Sequence, residues 1–280
     1  MKEGVMTRFR NWIPMPGSVG IFTGTIMFIS LVLAGLIIPN FGPFKANDFV
    51  GEPFASISAK HPFGLDQLGR DVMTRTFAGV PIDLGVAFLG VSIPFIIGTI
   101  VGIFLGLAKN RYFINLVGSI IDGVNAFPLL VLAIAMISFF GTGLQSVIII
   151  LSITNWARYA RIARTRAIVV SQQNYIEAAK TLGYPRWRTI RKHIVPNVSS
   201  ETIAYALSDF ILVIMVVSGL SFLGLAATPP LAEWGSMIAE GRSYLSQAWW
   251  ITIFPGAALC WAAVSLSFIV EGLSRRDGGM

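Results

Sequence analysis

Long apolar stretches alternate with short polar or charged stretches along this chain, and the alternation predicts membrane-spanning helices. A transmembrane helix needs about 20 mainly apolar residues, and six stretches approach or exceed that length. In order, they cover residues 19–39, 84–108, 116–140, 144–166, 202–225 and 248–270. The pattern therefore predicts an all-α integral membrane protein with six transmembrane helices.

Composition supports a membrane protein and argues against several other classes. Hydrophobic residues make up 54% of the chain, charged residues only 12%, and the mean hydropathy is +0.71, which excludes an ordinary soluble domain. The net charge of +7 does not indicate nucleic-acid binding, because the charges cluster at the ends of apolar stretches. The single cysteine, Cys260, is interpreted as a small packed hydrophobic residue, so we expect neither a disulfide framework nor a cysteine metal site.

Lysine and arginine are distributed unequally between alternate polar segments. With the N-terminus inside, the inner segments carry 16 of the 21 Lys and Arg residues and the outer segments five. Since cytoplasmic loops carry the excess of positive charge, both termini are predicted to be cytoplasmic. This orientation gives a cytoplasmic tail over 1–18, an extracytoplasmic loop over 40–79, a transmembrane core over 80–274 and a short tail over 275–280.

A polar, basic stretch over residues 174–197 separates the fourth and fifth apolar segments. Asn174 and Glu177 fit a capping box at the start of a short helix. Gly183 suits the left-handed residue after that helix, and Pro196 is expected to end a second helix. The first helix is too short to be stable alone, so it needs a partner. The helix pair can lie on the anionic inner leaflet, act as a simple connecting loop, or dock on a cytoplasmic protein.

Few residues in the sequence suggest chemistry. Asp122 lies near the end of a predicted span and is interpreted as a packing or interface residue, whereas Asp209 lies deeper and fits a functional or a packing role equally well. His61 and His193 lie on opposite sides of the predicted membrane, so we predict no metal site. The chain has no Gly-x-x-x-x-Gly-Lys-Ser/Thr phosphate loop, so a separate polypeptide must hydrolyse any ATP that drives transport. We predict no catalytic residue and no bound cofactor.

Several motifs, in the order in which they occur, resemble those of ABC-transporter permease subunits. Glu177-Ala178-Ala179, followed by Gly183 and Pro196, resembles the EAA signature. The other matching motifs are His61-Pro62-Phe63-Gly64, Asp66 to Val72, Ala126-Phe127-Pro128, Ala157 to Arg161, Ser221 to Leu225, Pro229-Pro230, Trp234-Gly235, Glu240-Gly241-Arg242 and Trp249-Trp250. The resemblance covers about residues 61–270 and is to the C-type (DppC/OppC-like) permeases of dipeptide, oligopeptide and nickel importers.

This resemblance implies a type I (MetI-like) ABC importer permease fold in a bacterial or archaeal cytoplasmic membrane. It implies that coupling helices over 174–196 dock on a separate ATPase. The coupling residues it implies are Tyr175, Glu177, Ala178, Ala179, Leu182, Gly183, Arg186 and Pro196. ATP and Mg²⁺ would belong to two partner ATPase subunits, and the other implied partners are a paralogous permease subunit, an extracytoplasmic solute-binding protein and membrane lipid.

The resemblance favours peptides as the imported solute, and it leaves nickel or a metal chelate, glutathione and opine-like molecules open. Asn125, Phe127 and Asp209 are the first candidates for the translocation path. Two opposing hypotheses are a proton-coupled secondary transporter that uses Asp209 and a scaffold on the membrane surface that carries no solute.

Overall fold

A computed structural model describes residues 17–277, so the predicted tail residues 1–16 and 278–280 lie outside the described range. Within that range the chain forms ten α-helices, one π-helical turn and one 3-10 turn, and no named strand. The helices are α1 (Gly17–Phe41), α2 (Val72–Leu107), α3 (Arg111–Ala126), α4 (Leu129–Phe140), α5 (Leu144–Ser171), α6 (Asn174–Thr181), α7 (Arg186–Thr189), α8 (Val195–Phe222), α9 (Trp234–Gly241) and α10 (Trp250–Asp277). The all-α prediction is confirmed.

Four helices among the described residues are long and apolar enough to cross a membrane. They are α1, α2, α10 and the continuous helical stretch Arg186–Phe222, and α3 with α4 counts as a fifth span although the pair is bent by 95°. Helix α5 falls short of the same criterion because its second half carries Arg158, Arg161, Arg164 and Arg166. The prediction of six spans is therefore not confirmed by length and composition alone.

Helix α2 begins well before the apolar stretch that the sequence marks as a span. Asp71 is its N-cap, and its Oδ1 accepts hydrogen bonds from the Thr74 backbone N–H at 2.8 Å and the Thr74 hydroxyl at 2.9 Å. Such a cap satisfies backbone donors that have no partner inside the helix. The last residues of the segment predicted as an extracytoplasmic loop, 40–79, thus form the first turns of α2.

The prediction that Pro196 ends the second helix of the basic stretch is wrong. Helix α7 continues through a π-helical turn over Ile190–Ile194 directly into α8, and Pro196 lies in the first turn of α8. Proline has no N–H, and its ring crowds the carbonyl four residues earlier. The turn before it is widened, and the Val195 N–H bonds to the Ile190 carbonyl. The basic stretch and the fifth apolar segment therefore form one continuous unit.

Helices α2 and α5 pack closely through small residues. Gly98, Gly102 and Gly106 follow one face of α2, and a Cβ added at any of them would overlap α5. At Gly102 the added Cβ would lie 2.6 Å from the Cβ of Ala163, and at Gly106 it would lie 2.8 Å from that of Ala167. Small residues at four-residue spacing allow helix backbones to approach closely, which favours association in lipid. This pair forms the centre of the bundle, on which α8 also packs.

The segment between α1 and α2 is fixed at one end of the bundle. Trp250 of α10 donates its ring N–H to the Leu65 carbonyl at 3.0 Å and packs beside Val72. Gly64 and Gly69 both adopt positive φ angles, and a Cβ at Gly69 would overlap the Gly51 carbonyl. The loop is therefore an ordered cap over the starts of α2 and α10.

Candidate functional site

Helix α6, which carries the EAA motif, is held on the protein by one buried face. The N–H groups of Ile176 and Glu177 bond to the Gln173 carbonyl, so Asn174 is the first helical residue instead of the cap that the sequence predicts. Ile176 is 1% exposed and Ala179 is 5% exposed. The buried residues that cluster with Ile176 are Ile103 of α2, Ala163, Ala167 and Val170 of α5, Ile194 of the π turn and Val198 of α8. This short helix and three long helices thus contribute residues to one buried cluster.

The C-terminal end of α6 has the geometry of a Schellman motif. Gly183 has a φ of 75°, which confirms the predicted left-handed residue. The Tyr184 N–H bonds to the Ala179 carbonyl at 3.0 Å, and the Leu182 N–H bonds to the Ala178 carbonyl at 2.9 Å. These bonds satisfy carbonyls that have no partner within the helix. The exit of the chain from α6 is therefore fixed.

The opposite face of α6 and the turn that follows it are exposed. Leu182 is 73% exposed, Trp187 66% and Tyr175 45%. The predicted coupling residues that are exposed are Tyr175, Glu177, Ala178, Leu182, Gly183, Arg186 and, in the first turn of α8, Pro196. Exposed large apolar side chains grouped on one surface are typical of an interaction site. Ala179 differs from the rest of the predicted set, because its small side chain is packed against its own protein.

Asn125 and Phe127 lie together at the bend between α3 and α4. Pro128 follows Phe127, and the two helices meet there at 95°. Phe127 is 61% exposed, and Asn125 donates its side-chain amide to the Ile121 carbonyl at 2.8 Å. Both residues line a small cavity with Arg158 of α5. Two of the three predicted translocation-path residues are therefore brought to the same place.

Asp122 forms an exposed ion pair beside this bend. Its Oδ1 lies 2.7 Å from an Nη atom of Arg161, and the two side chains are 74% and 59% exposed, respectively. Charged groups are costly in lipid unless they face protein or water. The face of α3 and α5 that carries this pair must therefore contact a polar environment.

Asp209 is buried in the contact between α5 and α8. It is 2% exposed and accepts a hydrogen bond at 2.8 Å from the hydroxyl of Tyr159, which is itself fully buried. The ring of Tyr205 packs edge-on against that of Tyr159, with centroids 5.0 Å apart. Asp209 is not among the residues that line the cavity at the bend. This geometry is that of a helix-packing carboxylate.

An ion-pair network at the start of α2 was not recognised as a site from the sequence. His61 contacts Asp71 at 2.9 Å, and Arg70 contacts Asp66 at 2.6 Å and Glu240 at 3.0 Å. His61 is 7% exposed and Arg70 is 2% exposed. The clue in the sequence was the density of charged residues over 61–75, which the network uses to fix the loop to α2 and α9.

Cys260 does not have the environment that the sequence suggests. Its side chain is exposed on α10, so the interpretation of a packed cysteine is wrong. Within residues 17–277, no group of three or more His, Cys, Asp or Glu side chains is arranged to hold a metal ion.

Comparison with known proteins relates this geometry to transport. A putative peptide transport system permease protein of Brucella suis is 36% identical over 89% of this chain and 84% of its own length. The dipeptide transport system permease protein DppC of Alkalihalophilus pseudofirmus is 32% identical over 89% of this chain and 83% of its own length. A crystal structure of an amino acid ABC transporter matches the fold with a TM-score of 0.56 and 19% identity, covering 72% of this chain and 94% of that one.

The same assignment follows from a family profile that spans most of the helical core. The profile described as "Binding-protein-dependent transport system inner membrane component" matches residues 98–276. That range includes the α2–α5 packing, the bend after α3, the whole of α6 and helices α8 to α10. The chain therefore belongs to the family of binding-protein-dependent transport system inner membrane components, as an ABC transporter permease of the DppC/OppC type.

Proposed function

We propose that this chain is the permease subunit of an ATP-driven importer that carries peptides across the cytoplasmic membrane of a bacterium or archaeon. The names of the two relatives, both of peptide transport systems, support the substrate class. The family description supports delivery of the solute by a separate binding protein. The chain spans more than four-fifths of each relative, so the proposal concerns a comparable unit.

The proposed topology has six spans with both termini in the cytoplasm. Helix α5, which is fourth in chain order, completes the set of six spans. Its apolar first half lies in the membrane, and its four arginines lie at the cytoplasmic end. Two of the five outer cations, Arg70 and Arg75, are buried and contact Asp66, which reduces the positive charge on the outer side. The excess of Lys and Arg in the inner segments supports the proposed orientation.

The observation that carries the proposed coupling role is that α6 is buried on one face and exposed on the other. Ile176 fixes one face to the bundle, while Leu182 and Tyr175 leave an apolar surface open on the other. We assign that surface to one of two ATPase subunits, which bind ATP and Mg²⁺ and close on nucleotide binding. Because Ile176 shares one buried cluster with residues of α2, α5 and α8, we propose that movement of the ATPase passes through this cluster to the spans.

The proposed translocation path runs along the exposed polar face at the bend. Asn125 and Phe127 line it, and the Asp122–Arg161 pair gives it complementary charges that suit a zwitterionic peptide. A paralogous permease subunit covers the exposed apolar side of α3 and α4, and membrane lipid surrounds the rest. Asp209 supports the path indirectly, by fixing α8 to α5 through Tyr159.

The decisive experiment measures peptide uptake into proteoliposomes that contain the full transporter, with ATP inside and the binding protein outside. Leu182→Ala removes most of an exposed apolar side chain, so the fold should keep its thermal stability. If Leu182 is fully buried against the ATPase, the loss is about 2 kcal/mol, or about 30-fold in ATPase affinity. Leu36→Ala on α1, where the leucine is 51% exposed, is the matched control.

Unchanged ATPase affinity and uptake in Leu182→Ala would contradict the coupling role. Uptake that needs no ATP, collapses with the proton gradient and is lost in Asp209→Asn would instead support the secondary transporter. Uptake of a metal chelate or glutathione in preference to peptides would change the substrate class while leaving the coupling role intact.

A further inference from the structure

Helix α9 is fixed to α2 at its N-terminal end by two carboxyl groups and a tryptophan. Trp234 is fully buried and donates its ring N–H to the Thr76 carbonyl at 2.8 Å. Its backbone N–H donates to Oδ2 of Asp83 at 3.2 Å. Glu233 is the N-cap of α9, and its Oε2 accepts the Ser236 N–H at 2.7 Å. The two carboxyl groups therefore converge on the same helix end.

Asp83 and Glu233 are both buried at this helix end. They are 1% and 0% exposed, and they accept hydrogen bonds from backbone N–H groups only two residues apart, those of Trp234 and Ser236. Among the described residues, no group donates a hydrogen bond to Oδ1 of Asp83 or to Oε1 of Glu233. Ionised carboxylates can only accept hydrogen bonds, so a bond between two carboxyl groups requires that one of them carries a proton.

No cation compensates this pair within residues 17–277. Neither carboxyl group takes part in an ion pair there. Arg75, earlier on α2, bonds to Asn47 and to the carbonyls of Ala46 and Pro230, and its charged neighbours are Asp66, Arg70 and Glu240. The charged or titratable residues on the other helices around the pair are Glu201, Tyr205 and Asp209 on α8, Glu240 on α9, and Cys260, Glu271 and Arg275 on α10.

Those groups have other partners or lie elsewhere on their helices. Glu240 bonds to Arg70, Asp209 to Tyr159, and Glu271 lies towards the far end of α10. Helix α1 contributes no charged residue. The charge balance at the pair is thus decided by the two carboxyl groups themselves and by the N-terminus of α9, which favours a single negative charge.

We propose that Asp83 and Glu233 share one proton and form a proton-binding site that holds α9 against α2. With the proton bound, one carboxyl donates to the other and the site carries a single negative charge. When the proton leaves, two like charges face each other in a water-poor contact, which weakens the attachment of α9. The hydrogen bonds that remain on this side are those of the Trp234 ring to the Thr76 carbonyl and of Glu240 to Arg70 and Gln67. The inference stands independently of the transported solute.

The test compares amide variants of the pair over a range of pH. In Asp83→Asn and Glu233→Gln the amide donates the hydrogen bond without a proton to lose. The wild-type transporter, purified in lipid nanodiscs, should lose about 4 °C or more of its melting temperature between mildly acidic and strongly alkaline solution. Both variants should lose much less over the same range. Glu201→Gln, at an exposed carboxyl paired with Arg166, is the matched control and should follow the wild type.

Infrared spectroscopy gives a second measurement that does not depend on unfolding. The C=O stretch of a protonated carboxylic acid should be present at neutral pH in the wild type and in Glu201→Gln, and absent in both amide variants. A wild-type melting temperature that does not change with pH, or an Asp83→Asn variant that follows the wild type, would overturn the proposal. If added Na⁺ or K⁺ restores the alkaline melting temperature in the wild type alone, the pair holds a metal cation instead, which also overturns it.

Discussion

Replacing Gly102 by alanine tests the close packing of α2 on α5. The added Cβ would lie 2.6 Å from the Cβ of Ala163, whereas ordinary contacts start near 3.4 Å, and it would also overlap the Ala160 carbonyl. The neighbouring atoms belong to the helix backbone or to Cβ atoms, so no flexible side chain can move aside. The two helices must separate by about 1 Å, at a cost of about 1–3 kcal/mol for overpacking.

The same helix offers a matched control at Gly85. Nothing lies within 4 Å of a Cβ built at that position, so Gly85→Ala should gain up to about 1 kcal/mol from the higher helix propensity of alanine. Gly102→Ala has the same gain but loses more through overpacking. We expect the two variants to differ by about 2 kcal/mol, or about 4–8 °C in melting temperature.

The assay is thermal unfolding of each purified variant in the same detergent or nanodisc. A Gly102→Ala variant as stable as Gly85→Ala would refute the inference that these backbones touch. If both variants melt at a lower temperature than the wild type, alanine destabilises α2 wherever it is placed. That result would also refute the inference of close packing.

Two further predictions concern α8 and α6. Tyr159→Phe removes the hydrogen-bond donor to buried Asp209 and should lower the free energy of unfolding by about 1–3 kcal/mol. In a double-mutant cycle with Asp209→Asn, measured by thermal unfolding, the two losses should be non-additive. Additive losses would contradict the hydrogen bond. Gly183→Asn should retain ATPase stimulation by the permease because asparagine tolerates positive φ, whereas Gly183→Val should lose stimulation through about 1–2 kcal/mol of backbone strain. Since none of the described atoms lies within 4 Å of a Cβ at Gly183, equal behaviour of the two Gly183 variants would refute strain as the cause.

The sequence predicted the helical class and the positions of the apolar segments because both are local properties. Runs of apolar residues and the Gly183 signal depend only on nearby residues, and the structure has helices over the apolar segments and a left-handed Gly183. Pro196 misled the prediction because a proline stops a helix in most contexts. Here it lies in the first turn of α8, after a π turn that accommodates it.

The details of the site were not predictable in the same way, because they depend on contacts between distant segments. Ala178 and Ala179 are adjacent alanines, yet Ala178 is exposed and Ala179 is buried against its own protein. Asp83 and Glu233 are far apart in the chain, and no periodicity relates them. Asp209 fits a functional or a packing role in the sequence, and its hydrogen bond from the Tyr159 hydroxyl, at 2.8 Å, joins residues 50 positions apart that no local pattern relates.

The position of α6 restricts how a signal can leave it. Its anchor, Ile176, shares one buried cluster with Ile103 of α2, Ala163 of α5 and Val198 of α8, so a shift of α6 disturbs packing to which three helices contribute. The glycine face of Gly102 ties two of those helices together as one body. The third helix, α8, is continuous with α7 through the π turn. The wider geometry of this turn makes it the least regular part of the continuous helical stretch. In the proposed coupling role, a force on α6 would therefore reach α8 both through the shared cluster and along the chain.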